Sequence, residues 1–333
     1  MNEYFKFIAI CPQCGAKESR NRFSVDQLGI SVGVVECLSC GILYKTRMPN
    51  AKLMNLIYSD TYTHFSEVGG HDDDPDTHTS RIDRLGNPNK NNNRHLDYGC
   101  GSGSFVTAAI GSGWDSYGCD PFLSTNLISS DSENRLFKIG SEDPHLKKIL
   151  GEFDIISLWA VTEHMEDITN TFKSLTELLK PGGRIIFNWP YGNSYAARRN
   201  GNKWLMSMLV EHLTFATKKS VNHLAVEINM SIEELIICGS PYPFGLSSNP
   251  SLDDQGVNQI NLTHHIDTGA KPSIAPATNR GRLSLSGSAK YFLGLLRSLL
   301  LGKSTNGLLT NCARKIIQLA RAGDHLQVIL VKK

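Results

Sequence analysis

From residue 95 onward, short apolar runs alternate with stretches of helical period. HLDYG (95–99), WDSYGCD (114–120), LFKIG (136–140), FDIISLWAV (153–161) and RIIFNWP (184–190) read as strands. SFVTAAIGSG (104–113), DPHLKKILG (143–151) and DITNTFKSLTELLK (167–180) read as helices, the last stopped by Pro181-Gly182-Gly183. Strands that take turns with helices predict a parallel sheet with crossover helices on its faces. Beyond Pro190 the rhythm weakens. WLMSMLVEHL (204–213) and KKSVNHLAVEI (218–228) read as helices, SIEELIICG (231–239) fits either element, and HLQVILVKK (325–333) is a strand. Residues 241–288 are polar and rich in Gly, Pro, Ser and Asn, too long for an ordinary loop, and are expected to form an insertion or lid.

Before residue 95 the pattern is different. Residues 1–49 hold short β-prone stretches, ISVGVVEC and ILYKT, and Pro49 closes them. A short helix follows within 50–66, with Leu53, Leu56 and Ile57 on one face, and then 67–94, rich in Gly, Asp and Asn, reads as a flexible linker. The expected organisation is a small module at 1–49, a helix and linker at 50–94, and an α/β domain at 95–333.

Composition narrows this. In 333 residues, 40% are hydrophobic and 20% charged, which suits a folded chain with a sizeable core. No apolar run is long enough to span a bilayer and the N-terminus does not read as a signal peptide, so a cytoplasmic protein is expected. The net charge of +2 gives no general attraction to polyanions, so nucleic acid is not an expected partner. The charge is uneven, however: residues 268–323 contain no Asp or Glu. Within them AKYFLGLLRSLLLGK (289–303) is basic and amphipathic, which suits either a helix packed on a neighbour or peripheral contact with the inner face of a membrane.

Cys11-Pro-Gln-Cys14-Gly15 and Cys37-Leu-Ser-Cys40-Gly41 are two Cys-x-x-Cys knuckles. Paired thiolates at this spacing suit one tetrahedral zinc ion, and four sulfurs leave it no open position, so a structural Zn2+ is expected rather than a catalytic one. A redox dithiol is the other reading.

Leu96-Asp97-Tyr98-Gly99-Cys100-Gly101-Ser102-Gly103 joins the first strand of the domain to its helix, where the backbone must turn tightly and approach a ligand. A dinucleotide-binding turn has the spacing G-x-G-x-x-G; here it is G-x-G-x-G, with Asp97 close to where a phosphate would lie. A carboxylate there suits a cationic ligand, and Asp120, ending the next strand, is placed to accept hydrogen bonds from ribose hydroxyls. With EFDIISLWAVTEHMED and LLKPGGRIIFNWP following in order, the chain resembles the class I S-adenosylmethionine-dependent methyltransferases over roughly residues 95–235. The resemblance implies a doubly wound, mostly parallel seven-stranded sheet of Rossmann-like form, and S-adenosylmethionine as methyl donor. It assigns Asp97, Gly99, Gly101, Gly103 and Asp120 to the cofactor. Glu142 and Asp143 fall where the family contacts adenine, although an N-terminal helix cap before Pro144 is an equal reading.

Glu163-His164 follows the fourth strand, at the sheet edge where ligands of such folds bind. His164 is a candidate base for an acceptor hydroxyl, or a residue that orients the loop. The pair is similar to a segment of quinone-biosynthesis O-methyltransferases in which a glutamate three residues earlier helps bind a divalent cation. That position is Ala160 here, so magnesium is not expected. Glu211-His212 lies in a stretch similar to polysaccharide and natural-product branches, which makes His212 a rival base or a pocket-shaping residue. Asn188, Trp189 and Tyr191 are expected on the acceptor side, with core packing the alternative for Trp189. The expected activity is methyl transfer to a hydroxyl, before a carbon or an amine, of a small molecule or sugar conjugate. The competing expectation is a zinc-containing nucleic-acid or protein-binding module whose methyltransferase-like domain is inactive.

Overall fold

The computed structural model describes residues 2–58, 75–89, 93–123, 133–138, 151–238 and 324–333. The expected insertion at 241–288, the basic stretch at 289–303 and the pair Glu142-Asp143 lie outside the described residues.

The N-terminal part contains β1 (Phe5–Phe7), β2 (Ser19–Gln27), β3 (Ile30–Cys37), β4 (Leu43–Lys45) and β5 (Arg47–Pro49). The turn between β2 and β3 places both Leu28 and Gly29 at positive φ, 55° and 75°. A leucine tolerates this strained conformation because its side chain is buried against Leu53 and Ile57. Those two residues lie on helix α1 (Ala51–Ile57), which starts where the Asn50 side chain accepts a hydrogen bond from the Leu53 amide. Where a flexible linker was expected, Pro75–Leu85 forms a helix, α2. Its mean polarity hid it, since one apolar edge ending in Leu85 suffices to dock it beside Phe105 and Trp159.

The second part runs through β6 (Arg94–Tyr98), α3 (Ser104–Gly111), β7 (Asp115–Cys119), β8 (Leu136–Phe137), β9 (Phe153–Leu158), α4 (Ile168–Glu177) and β10 (Leu179–Pro190). Two short helices, α5 (Tyr195–Asn200) and α6 (Leu205–Met208), precede β11 (Thr214–Phe215), α7 (Lys218–Glu227), β12 (Met230–Cys238) and β13 (His325–Lys332). Seven strands form one sheet in the order β12-β13-β10-β9-β6-β7-β8. β6 through β10 pair in parallel, while β13 enters antiparallel to both β10 and β12. All six positions of β9 are buried, so its sequence shows no in-out alternation, and its two polar residues, Asp154 and Ser157, are hydrogen-bonded inside the fold. The chain order reverses between β6 and β9, so the crevice for a ligand opens beyond their carboxyl ends. This is a Rossmann-like, doubly wound, mostly parallel seven-stranded sheet.

Two expected elements are corrected, and one that fitted either strand or helix is resolved. The helix read to residue 180 ends at Glu177, and Pro181-Gly182-Gly183 sits inside β10, where the pairing register with β9 shifts between Leu179 and Arg184. SIEELIICG is strand β12, with its own register shift between Ile232 and Glu234. WLMSMLVEHL is helical only at Leu205–Met208, because the residues after it are drawn out alongside the N-terminal part.

That last feature joins the two parts. β11 pairs with β4, completing a four-stranded sheet in the order β11-β4-β3-β2. Cys11, Cys37, Cys40, Ile42 and Tyr44 share one core with Trp189, Ala216, Val221 and Leu224. The Gln13 amide donates to the Ser220 carbonyl at 2.8 Å, and the Thr217 hydroxyl to the Gly41 carbonyl at 3.0 Å. No helix among the described residues is long and apolar enough to cross a membrane.

Candidate functional site

The turn after β6 is shaped by what its glycines lack. Gly99 and Gly103 have φ of 77° and 78°, and a Cβ on either would lie 2.4 Å from a neighbouring side chain, Val161 and Leu136 respectively. Without those side chains the loop after β9 and strand β8 close onto the turn. Around Gly101, φ 52°, a Cβ would meet nothing, so this exposed backbone is the open face a ligand would approach.

Asp97 is buried at the end of β6, where its carboxylate accepts a 2.6 Å hydrogen bond from the Ser157 hydroxyl of β9. Having given its one proton to Asp97, Ser157 must accept from His95 Nε2 at 2.9 Å, and His95 Nδ1 in turn meets the Ser116 hydroxyl at 2.8 Å. Burial pushes His95 down to about 3, so the ring is neutral with its proton on Nε2. Three adjacent strands thus fix the rotamer of one carboxylate.

Asp120 follows β7, and its two oxygens accept from the amides of Gly101 at 3.1 Å and Phe122 at 2.6 Å. Burial raises its pKa against the opposing pull of those two amides. Each oxygen has a second lone pair beyond the one its amide uses. The Phe122 ring stacks on Tyr58, 4.6 Å between centroids, and the Tyr58 hydroxyl lies 3.1 Å from His164 Nδ1. The loop after β7 is therefore linked through Tyr58 to His164.

Glu163 and His164 sit on a single 3-10 turn, Thr162–His164, and His212 on the turn before β11, its amide donating to the Leu209 carbonyl at 3.3 Å. The structure brings all three together: Glu163 Oε1 is 4.0 Å from Nε2 of both histidines, whose rings meet edge to face at 4.9 Å. His164 Nδ1 is 3.0 Å from the Glu211 carbonyl. A carbonyl only accepts, so Nδ1 carries a proton and Nε2 is the nitrogen that faces the carboxylate. Burial holds His212 well below its ordinary value, helped by His164, and its Nδ1 is enclosed without a hydrogen-bond partner.

Sequence reasoning missed several neighbours. Lys45 and Tyr58 come from the N-terminal part. His325 pairs with Asp324 at 2.8 Å; burial would lower its pKa, but that carboxylate outweighs burial and raises it. Since β13 runs antiparallel, its first residue lies opposite Pro190 at the carboxyl edge of β10, and an inverted last strand was the signal that could have placed it there. Of the three residues expected near the acceptor, Trp189 is core with its indole on the Thr214 hydroxyl, and Tyr191 is buried. Asn188 accepts from the Ala160 amide at 2.8 Å and so holds a loop residue whose φ is 55°.

Among the described residues two clusters have metal-ligand composition, and they differ in spacing. Cys11 and Cys40 sulfurs are 3.6 Å apart, and Cys14 and Cys37 sulfurs 3.5 Å. Four bonds of about 2.3 Å at tetrahedral angles put sulfurs about 3.8 Å apart, so these four fit a zinc ion. The 4.0 Å from Glu163 to each histidine is wider than the roughly 3.0–3.4 Å that bonds of about 2.1 Å impose on neighbouring ligands, and is a charge contact longer than a hydrogen bond.

Residues 73–235 match a family model described as "Methyltransferase domain". The chain is similar to the ubiquinone biosynthesis O-methyltransferase of Escherichia coli O9:H4 (strain HS), 27% identical over 124 residues, which cover 35% of this chain and 49% of that protein. It thus spans about half the length of the curated relatives it matches. Among solved structures it is similar to a SAM-dependent methyltransferase from Geobacter sulfurreducens in complex with S-adenosyl-L-homocysteine, with a TM-score of 0.44 and 16% identity over 85% of this chain and 99% of that one. Another is Haemonchus contortus phosphoethanolamine N-methyltransferase 2 in complex with S-adenosyl-L-methionine, with a TM-score of 0.47 and 16% identity over 93% of this chain and 71% of that one. The chain carries a methyltransferase domain.

Proposed function

We propose that this chain transfers the methyl group of S-adenosylmethionine to a hydroxyl, in preference to a carbon or an amine, of a small molecule or sugar conjugate. Asp97, the glycine turn and Asp120 hold the cofactor. Cys11, Cys14, Cys37 and Cys40 hold a structural zinc ion that supplies folding stability and no chemistry. The observation that carries the reading is the meeting of Glu163, His164 and His212 beside the glycine turn, with His164 Nε2 facing the Glu163 carboxylate.

Methyl transfer is an in-line displacement at sulfonium, so alignment and removal of one proton are what the protein must provide. His164 takes that proton, and the Glu163 carboxylate stabilises the imidazolium. His212, kept neutral, shapes the acceptor pocket. The peripheral membrane contact of residues 289–303 remains part of the proposal on the strength of their basic, amphipathic pattern.

The test is single-turnover transfer from labelled S-adenosylmethionine to a panel of phenols and nucleotide sugars. His164→Ala should lower the rate about a hundredfold to ten-thousandfold while keeping cofactor affinity. Wild-type rate in that variant, with loss in His212→Ala, would exchange the two roles. Cofactor binding with no transfer to any acceptor would favour the binding-module reading.

A further inference from the structure

The turn that carries Glu211 and His212 is held from outside the catalytic sheet. Lys45, on β4 of the cysteine-bearing part, is fully buried, and its ammonium donates to the Leu209 carbonyl at 2.5 Å. Its own backbone amide donates to the Leu213 carbonyl at 3.0 Å, and the Leu213 amide donates to the Glu163 carbonyl at 2.7 Å. One residue thus grips both ends of the 209–213 turn, and the turn passes that grip to the segment bearing His164. The fully buried Gln27 side chain adds a 3.2 Å hydrogen bond to the same Leu209 carbonyl.

A buried ammonium is an expensive way to fill space. Removing it from water costs several kcal/mol, and an apolar side chain of the same length would pack there more cheaply. Lysine at this place brings something a methionine lacks, namely a donor for Leu209 and a positive charge toward Glu211. Burial lowers its pKa to about 7 against the pull of Glu211.

We propose that Lys45 is a positioning residue of the methyl-transfer site, holding the 209–213 turn so that His212 stands beside Glu163 and His164. The proposal rests on the methyltransferase reading above, and it makes the cysteine-bearing part a wall of the acceptor site. His212 is faced by Lys45 from β4, by Glu163 and His164 from the turn after β9, by its neighbour Glu211, and by His325 with Asp324 from β13. Lys45 is one of the cations that disfavour the His212 imidazolium.

The experiment compares zinc-loaded, full-length wild type, Lys45→Met, Lys45→Gln and the core-truncation control Val32→Ala, a fully buried position on β3. The readouts are amide exchange at His212 and Leu213, imidazole titration by NMR in selectively labelled protein, and calorimetry with S-adenosylhomocysteine. Lys45→Met should speed exchange at both amides about tenfold and move His212 titration to higher pH, because a nearby cation is gone and the turn admits water. Lys45→Gln keeps a donor, so it should recover part of the protection while still raising the His212 titration. Val32→Ala should leave His212 unmoved. Identical His212 titration and Leu213 exchange in wild type and both Lys45 variants would overturn the proposal, as would an equal shift in Val32→Ala. Absence of S-adenosylhomocysteine binding by the wild type would strike the methyltransferase reading and leave the result on Lys45 standing.

Discussion

The two sides of the crevice are built in opposite ways. The proposed cofactor side comes from one continuous stretch, in which β6, the glycine turn, α3 and β7 supply Asp97, Gly101 and Asp120 within residues 94–120. The acceptor side is assembled from β4, α1, the turn after β9, the 209–213 turn and the start of β13, bringing Lys45, Tyr58, Glu163, His164, His212 and His325 together. A local side can be rigid through hydrogen bonds among adjacent strands. A composite side depends on every element that frames it, so it should fail when any one of them does.

The strongest way to break this comparison is to remove the metal site. Structural zinc in small cysteine modules is worth on the order of 10 kcal/mol of folding free energy. Cys11→Ser with Cys40→Ser should therefore abolish exchange protection in β3 and β4, and with it protection across residues 209–217, which hang on them through β11, Lys45 and Gln27. Elemental analysis should find about one zinc per wild-type chain. Retained protection at 209–217 in a chain whose β3 and β4 amides exchange freely would show that the two sides are not built as described.

A smaller effect sharpens the cofactor side. His95 titrates at about 3 when folded against 6.5 when unfolded, so below pH 6.5 the unfolded chain binds a proton the folded chain refuses. Stability is then lost as pH falls, at roughly 1.4 kcal/mol per pH unit for this group, or about 2 kcal/mol by pH 5. In urea unfolding, His95→Gln should lose about that much less than wild type between pH 7 and pH 5, whatever its stability at pH 7. An equal loss in both would mean that His95 is not the neutral link holding Asp97.

What the sequence made legible follows the same division. The placement of Asp97, the glycines and Asp120 beside one another was readable because they lie on a strand, a turn and a strand in succession, where spacing along the chain equals position in space. The cysteine knuckles were readable for the same reason. His164 and His212 were each visible as candidates, but not their meeting, which depends on residues 209–213 leaving the expected helix and on β11 joining another sheet. Lys45 gave no signal, since in ILYKT it stands as an ordinary polar residue of a strand and only β11 and the 209–213 turn bury it. α2 escaped because polar residues outnumber the few that dock it.

Calorimetry of S-adenosylhomocysteine binding to the full, zinc-loaded chain tests the central claim most directly. The account predicts one site per chain, with affinity lowered about tenfold or more in Asp120→Ala, which removes a carboxylate whose hydrogen bonds to ribose are worth roughly 1.5–3 kcal/mol, and kept within about twofold in His212→Ala. Unchanged affinity in Asp120→Ala, or a loss in His212→Ala as large as that in Asp120→Ala, would contradict it.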